Sequence, residues 1–402
     1  MRKILLLGGS RQQIPAIECA KKKGYYTVLC DYLSDNPGQY IADKFYLAST
    51  TDKEKILEIA TKENIDGIVA YASDPAAPTA AYVAEKLNLP GHPYNSVEIL
   101  SNKHLYRKFL EENNFNTPKM IVVNNFEELK NNISKLQLPA ILKPVDSSGS
   151  KGVVRLNNID NLESCYKNAL KYSRNKKVIV EEFVECLGFP LAGDGFSVNG
   201  KLVFWAFSDY HTDCNSLNPL APMAETYPYI QPKSLQKKVV DEIQRLLDLL
   251  DMKTGAYNFE ARIDKDENIF LMEVGPRNGG NGLPIITKYA TGIDMLDYTI
   301  DAAMGLDCSD LKFKDVDGFW STYAVHTNKG GILKEIIIDP EYKEKNFLEF
   351  DCNYKVGEYI PPFEGSNTSM GTLMSKYSSY GEMIGKIYNF EKYVKIIFED
   401  EE

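Results

Sequence analysis

Short apolar runs of strand length alternate with helix-length amphipathic segments through the first hundred residues, and this alternation restricts the fold more than any other feature of the chain. Lys3–Leu7, Tyr26–Cys30 (ending in Asp31) and Gly67–Ala70 have strand character, while Ile14–Lys23, Lys53–Glu63 and Pro78–Leu87 have helical periodicity. Buried strands separated by helices imply a parallel sheet covered on both faces. Ligands of such sheets bind beyond the carboxyl ends of the strands. The loops at Gly8-Gly9-Ser10, Asp31 and Ser73-Asp74 are therefore expected to face a crevice. The Gly-Gly-Ser-Arg-Gln-Gln loop lacks the order and the third glycine of a dinucleotide fingerprint. A tight turn or a phosphate-touching loop is expected there instead of an NAD site.

The bulk properties narrow the partners. A chain of 402 residues is expected to form two or three domains. Its net charge of −10, with no offsetting basic block, argues against nucleic acid, whose backbone needs a positive surface. The opening Met-Arg-Lys is followed by an apolar run only from Ile4 to Leu7, too short for a secretory signal. No apolar stretch approaches the roughly 20 residues that cross a bilayer. The seven cysteines are scattered without a metal-ligand spacing, which suits reduced thiols. A cytoplasmic protein without membrane contact is the expectation.

A second unit begins near Ser101, after Pro90-Gly91-His92-Pro93. Ser101 or Asn102 can cap a helix over Lys103–Asn113. A small α/β unit follows at about 120–184, with strands at Ile121–Val123, Ala140–Lys143 and Val178–Glu182 and helices at Glu127–Leu136 and Leu162–Ser173. Beyond it come a strand at Leu202–Phe207, a long helix at Leu235–Leu250, paired strands at Gly255–Ile263 and Ile269–Val274, and a helix at Ile293–Met304. The stretch Asp209–Asp213 up to Pro228 is expected to be strandless. The last eighty or so residues suggest a β-rich closing unit ending in a strand at Val394–Phe398. The expected division is 1–100, 101–315 and 316–402.

Three segments carry chemistry. In the first, a strand delivers Lys143, and Ser147-Ser148-Gly149-Ser150-Lys151-Gly152 follows as a loop of small residues. Successive N–H groups of such a loop can converge on phosphate oxygens, with the lysine as a point charge. It is not a Walker loop, and an exposed hairpin with an extended lysine is the plain alternative. The second is Glu181-Glu182-Phe183-Val184, where backbone groups could read a purine edge beneath apolar side chains. The plain alternative is solvated surface. The third is Glu260 and Glu273 on strands joined by the turn Asp264–Asn268. Pairing can bring both carboxylates together as hard ligands for Mg²⁺, and Arg277 follows on the next turn, suited to a phosphoryl group.

This order of lysine at a helix start, lysine with small-residue loop, Glu-Glu-Phe-Val, two acids and an arginine resembles the ATP-grasp superfamily. The resembling branch includes phosphoribosylglycinamide synthetase, the ATPase subunit of phosphoribosylaminoimidazole carboxylase, biotin carboxylase and the large chain of carbamoyl-phosphate synthase. The resemblance runs from the N-terminal sheet through Gly305 and, loosely, to the end. It implies an α/β pre-ATP-grasp domain, an α+β ATP-grasp domain with a mobile lid, and a small β-rich C-terminal domain.

It further implies an ATP-dependent ligase that makes an acyl phosphate from a carboxylate and hands it to an amine, releasing ADP and phosphate. By position, Lys103 and Lys143 match the lysines that hold the ATP phosphates. Ser147, Ser148, Gly149, Ser150 and Gly152 match the loop closing over them. Glu181, Glu182, Phe183 and Val184 match the adenine contacts. Glu260 and Glu273 match the carboxylates that bind Mg²⁺ or Mn²⁺, and Arg277 matches the arginine beside the transferred phosphoryl group. Asp74 and His211 fall where substrate contacts are expected. Relatives are commonly dimeric.

Two departures stand out. Glu273-Val274-Gly275-Pro276-Arg277 has glycine where relatives place a metal-binding asparagine, leaving Asn278 or water to substitute. The Gly188-Phe189-Pro190 stretch has no ribose-binding glutamate, leaving Glu185 or Asp194. Activation of bicarbonate and ATP binding without turnover are the rival readings.

Overall fold

The computed structural model describes residues 1–147, 150–365 and 368–399. Four parallel strands, β1 (Lys3–Leu7), β2 (Tyr26–Asp31), β3 (Lys44–Leu47) and β4 (Gly67–Val69), form an N-terminal sheet in the order β3-β2-β1-β4. Ile4, Leu5, Leu6 and Leu7 are all buried, so β1 is covered on both faces. The loop after β1 is closely packed. Gly9 donates to the Asp31 carboxylate at 2.7 Å and accepts from Gly38 at 2.8 Å. A Cβ on Gly9 would lie 2.1 Å from the Asn36 side-chain oxygen, which is why only glycine fits. Asp31 also accepts from Leu33 N–H, so it holds the loop together instead of facing the crevice.

The helix Lys103–Glu112 starts at Asn102, whose side chain accepts from His104 and Leu105 N–H. It leads into a four-stranded antiparallel lid of β5 (Met120–Val123), β6 (Ala140–Pro144), β7 (Val154–Leu156) and β8 (Val178–Glu182), ordered β5-β8-β6-β7. Helices Phe126–Asn132 and Leu162–Lys171 close its own small core around Leu129, Leu142, Tyr166 and Val180. The first of these ends at Asn132 and tightens into a 3₁₀ turn at Ile133–Lys135, short of the expected Leu136.

The third element is an antiparallel sheet of eight strands. β9 (Leu191–Val198), β10 (Lys201–Thr212), β11 (Pro222–Tyr227), β12 (Gly255–Ile263) and β13 (Ile269–Gly275) are joined by β14 (Phe319–Val325), β16 (Phe347–Cys352) and β18 (Gly371–Tyr377). The order is β13-β12-β9-β10-β11-β14-β18-β16. Because β11 pairs with β14, one sheet runs across the expected division between 315 and 316. The remaining strands β15 (Gly331–Ile338), β17 (Tyr359–Ile360) and β19 (Val394–Phe398) make a separate three-stranded sheet.

In this sheet β9 and β11 were not expected, as β3 and β7 were not elsewhere, and the supposed strandless run at Asp209–Asp213 is corrected: Asp209 to Thr212 belong to β10. Gly193 and Gly195 explain the disguise of β9. A Cβ on Gly193, which sits at φ +145°, would lie 2.1 Å from the Ala206 carbonyl oxygen, and one on Gly195 would meet the Phe259 ring at 2.4 Å. Helix Lys233–Leu249 covers one face of this sheet with Leu235, Val239, Ile243 and Leu246. On the opposite face, helix Leu283–Thr291 covers Phe196, Phe204 and Tyr227. The rest of that face, from Glu260 to Glu225, is left as the floor of a cleft.

Candidate active site

The cleft, about 2030 Å³, is walled by the lid, by loops of the N-terminal sheet and by the floor strands. Ser10, Asp74, Lys103, Lys143, Ser147, Ser150, Gly152, Phe183, Val184, Glu260, Glu273 and Arg277 all line it. Glu260 and Glu273 are direct cross-strand partners in the β12–β13 register, beside a bulge after Glu260. Opposed residues in an antiparallel pair project from the same face, so the two carboxylates converge.

Their electrostatics differ. Lys103 Nζ lies 3.1 Å from Glu273, and Lys103 with Arg277 outweighs the cost of burial to hold that carboxyl below the usual range. Glu260 opens onto the cleft and has no ion pair among the described residues. The surrounding walls, and then the charge of Glu273, push its carboxyl up. An acid pair of which one member lacks a cation is a suitable donor set for a divalent ion that keeps water and phosphate oxygens in its remaining positions. Among the described residues no cluster of three or more His, Cys, Asp or Glu forms a fuller metal cage.

Lys143 reaches its place by an ion-pair chain that the sequence did not reveal. Glu181, 1% exposed, accepts from Lys143 Nζ at 2.6 Å and from Arg107 Nε at 2.8 Å, and Arg107 also donates to the Leu271 carbonyl. The carboxylate of Glu181 is thereby committed to the two cations, which leaves its backbone groups as the ones that could meet a purine. Burial, reinforced by Arg107 and Lys103, lowers the Lys143 pKa despite Glu181. Phe183 carries guanidinium groups against its ring, Arg155 at 4.0 Å and Arg262 at 4.6 Å, and Arg262 also donates to the Val184 carbonyl. Glu182 accepts from Gln137 N–H and lines the same end of the cleft.

The loop after β6 bridges the cleft. Ser150 Oγ donates to the Leu220 carbonyl at 3.1 Å, and Asn218 donates to the Ser150 carbonyl. Ser148 and Gly149, two of the expected loop contacts, lie outside the described residues.

The expected substrate contacts fare unequally. Asp74 lines the cleft and pairs with Arg277 Nε at 2.6 Å. His211 lines it too, but is 1% exposed with both ring nitrogens bonded, to Tyr388 and Thr226 hydroxyls at 2.9 Å, which is a structural role. Asn278 is buried away from the cleft with its side-chain oxygen accepting from Thr299, so it does not replace the missing asparagine. Asp194 is likewise spent: it is buried and accepts from Gly279 N–H and Asn258. Glu185 lines the cleft and pairs with Arg155 at 3.2 Å. No helix among the described residues is long and apolar enough to cross a membrane.

A lid sheet carrying Lys143 faces a floor sheet carrying the paired acids, with Lys103 at a helix start beside them, an arrangement of the ATP-grasp kind. Residues 136–284 match the family model described as the ATP-grasp domain. The chain carries that domain and is an ATP-grasp enzyme. It is similar to the formate-dependent phosphoribosylglycinamide formyltransferase of Prochlorococcus marinus (strain NATL1A), with 24% identity over 321 residues, 77% of this chain and 78% of that one. Among solved structures, an L-amino acid ligase from Bacillus licheniformis superposes with a TM-score of 0.80 at 21% identity, covering 100% of this chain and 99% of that one. Phosphoribosylglycinamide synthetase from Anaerococcus prevotii superposes with a TM-score of 0.76 at 22% identity, covering 99% and 100%. At these identities the two structures speak for the fold.

Proposed function

We propose that the chain is an ATP-dependent carboxylate–amine ligase releasing ADP and phosphate. The observation that carries this reading is the convergence of Glu260 and Glu273 in direct register, next to Lys103, Lys143 and Arg277, on one cleft. The name of the relative from Prochlorococcus marinus, a formate-dependent phosphoribosylglycinamide formyltransferase, supports the same reading.

In this account Phe183 and Val184 border the base of ATP, while Lys143 and Lys103 neutralise its phosphates. Glu260 and Glu273 hold the divalent ion, which screens the phosphate charge when bound. An oxygen of the substrate carboxylate attacks the γ-phosphorus and ADP leaves. Arg277, aimed by Asp74, steadies the resulting acyl phosphate. A neutral amine then attacks the acyl carbon, phosphate departs with the carboxylate oxygen, and the amine nitrogen gives up a proton. The lid loop, latched to Asn218 and Leu220, keeps water from the acyl phosphate. No side-chain nucleophile is required.

Phosphate release measured over a matrix of carboxylates and amines tests the reading. Release that requires one member of each class is expected. Release with bicarbonate in place of a carboxylic acid would move the protein to the carboxylases, and ATP binding without release from any pair would refute the ligase.

A further inference from the structure

The cleft floor continues past the phosphate end to one buried acid that none of these roles uses. Glu260 pairs across the sheet with Ala192, and Ala192 with Ser208. Two residues along β10, Tyr210 pairs with Glu225 of β11. Residues 208 and 210 share a face of their strand, so Glu225 projects from the same face as Glu260. Three strand steps and two residues along the strand separate their backbones, about 16 Å at roughly 4.8 Å per step and roughly 3.4 Å per residue. That interval leaves room for a small molecule beyond the γ-phosphate.

Glu225 differs from the cleft's other anchored acids. Glu181 meets Arg107 and Lys143, Glu273 meets Lys103, Asp74 meets Arg277, and Asp351 meets Arg11. Glu225 is only 7% exposed and lines the cleft, yet among the described residues its one side-chain hydrogen bond comes from Ser208 Oγ at 2.8 Å and no cation pairs with it. A buried carboxylate is costly without a charged partner. The chain supplies that partner at these four acids and at Glu185, and withholds it at Glu225 as it does at Glu260, which the divalent ion accounts for.

We propose that Glu225 is a substrate-binding residue that receives a primary ammonium group, so that one of the two substrates is a small molecule carrying such a group. This rests on the ligase reading and narrows it. Burial pushes the Glu225 carboxyl up to about 8 in the free protein, in keeping with a site completed only when a cation arrives. Ala192, between Glu260 and Ser208 on the floor, contributes no bulk that would block the approach. A substrate whose only nitrogen is an uncharged aromatic amine gains nothing from this carboxylate.

The test is a titration calorimetry experiment on the full chain with MgADP bound. The probes are each of the twenty protein amino acids and phosphoribosylglycinamide, alongside their N-acetyl derivatives. The expected result is that a compound with a free ammonium binds and that acetylation weakens it about 10-fold or more. Glu225→Gln should weaken the unacetylated compound to a similar degree while ADP affinity stays within about two-fold. Equal binding of the acetylated form, undiminished binding by Glu225→Gln, or no binding by any ammonium compound at millimolar concentration overturns the proposal. The acetylation arm needs no variant, so it stands even if Glu225→Gln folds poorly. The readout involves no turnover, so failure of the ligase reading and failure of the Glu225 site are separately visible.

Discussion

Replacing Arg107 with methionine should be among the most damaging single changes outside the hydrophobic cores. Arg107 and Glu181 have side chains only 2% exposed, and their 2.8 Å contact ties the helix Lys103–Glu112 to the lid strand that positions Lys143. Burial alone would raise the Glu181 carboxyl, but Arg107 and Lys143 overcome it and depress it from 4.5 to about 2. A depression of that size corresponds to about 3 kcal/mol at roughly 1.4 kcal/mol per pK unit.

This figure is an upper bound for Arg107 alone, because Lys143 still pairs with Glu181 once Arg107 is gone. The sign follows from linkage: the folded value is lowered, so the stabilisation is complete above the unfolded value near 4.5 and fades as pH falls towards 2. By pH 3 it should be about 1.4 kcal/mol. Urea unfolding of wild type and Arg107→Met should therefore differ by up to about 3 kcal/mol at pH 7, and by less than half as much at pH 3. Adding both Glu181→Gln and Lys143→Met to Arg107→Met should recover part of the loss, because none of the three charges is then left without its partner. A difference below about 1 kcal/mol at pH 7, or one that does not change with pH, would refute this view of the ion-pair chain.

Glu273→Gln should keep the circular-dichroism spectrum of wild type while phosphate release falls by about 100-fold or more; retained turnover removes Glu273 from the metal site. Gly193→Ala should destabilise by about 2–3 kcal/mol in denaturant unfolding, since its Cβ would meet the Ala206 carbonyl oxygen and its φ of +145° disfavours a side chain. His211 is buried with its pKa lowered by burial to about 4. The unfolded chain then takes up its proton first, so stability should decline as pH drops from about 6.5 to about 4, and His211→Gln should flatten that decline in urea midpoints.

The phosphate end of the site was legible because its residues belong to local patterns. Lys143 ends a strand before small residues, and Glu260 and Glu273 flank one turn, so their meeting needs only hairpin pairing. The ion pairs that orient these groups were hidden. Arg107 lies 74 positions before Glu181, and nothing in either neighbourhood announces the other. Glu181 accordingly resembled an exposed strand end. β9 escaped because Leu-Ala-Gly-Asp-Gly-Phe carries two glycines and an acid, poor strand formers whose presence is set by close backbone approach and by Gly279 N–H on Asp194. β11 starts with Pro222 and buries Glu225, and it is a strand only because β10 and β14 pair with it on either side. The extension of the floor into the last eighty residues had no signal either, since sheet order is decided by contacts far apart in the chain.

The central claim is that a substrate carboxylate oxygen passes to the γ-phosphoryl group. A productive carboxylic acid labelled with ¹⁸O in both carboxyl oxygens, incubated with ATP, Mg²⁺ and the amine, tests this by mass spectrometry of the released phosphate. One labelled oxygen per phosphate is the predicted result. Phosphate carrying oxygen from solvent water instead would mean that no acyl phosphate forms in this cleft.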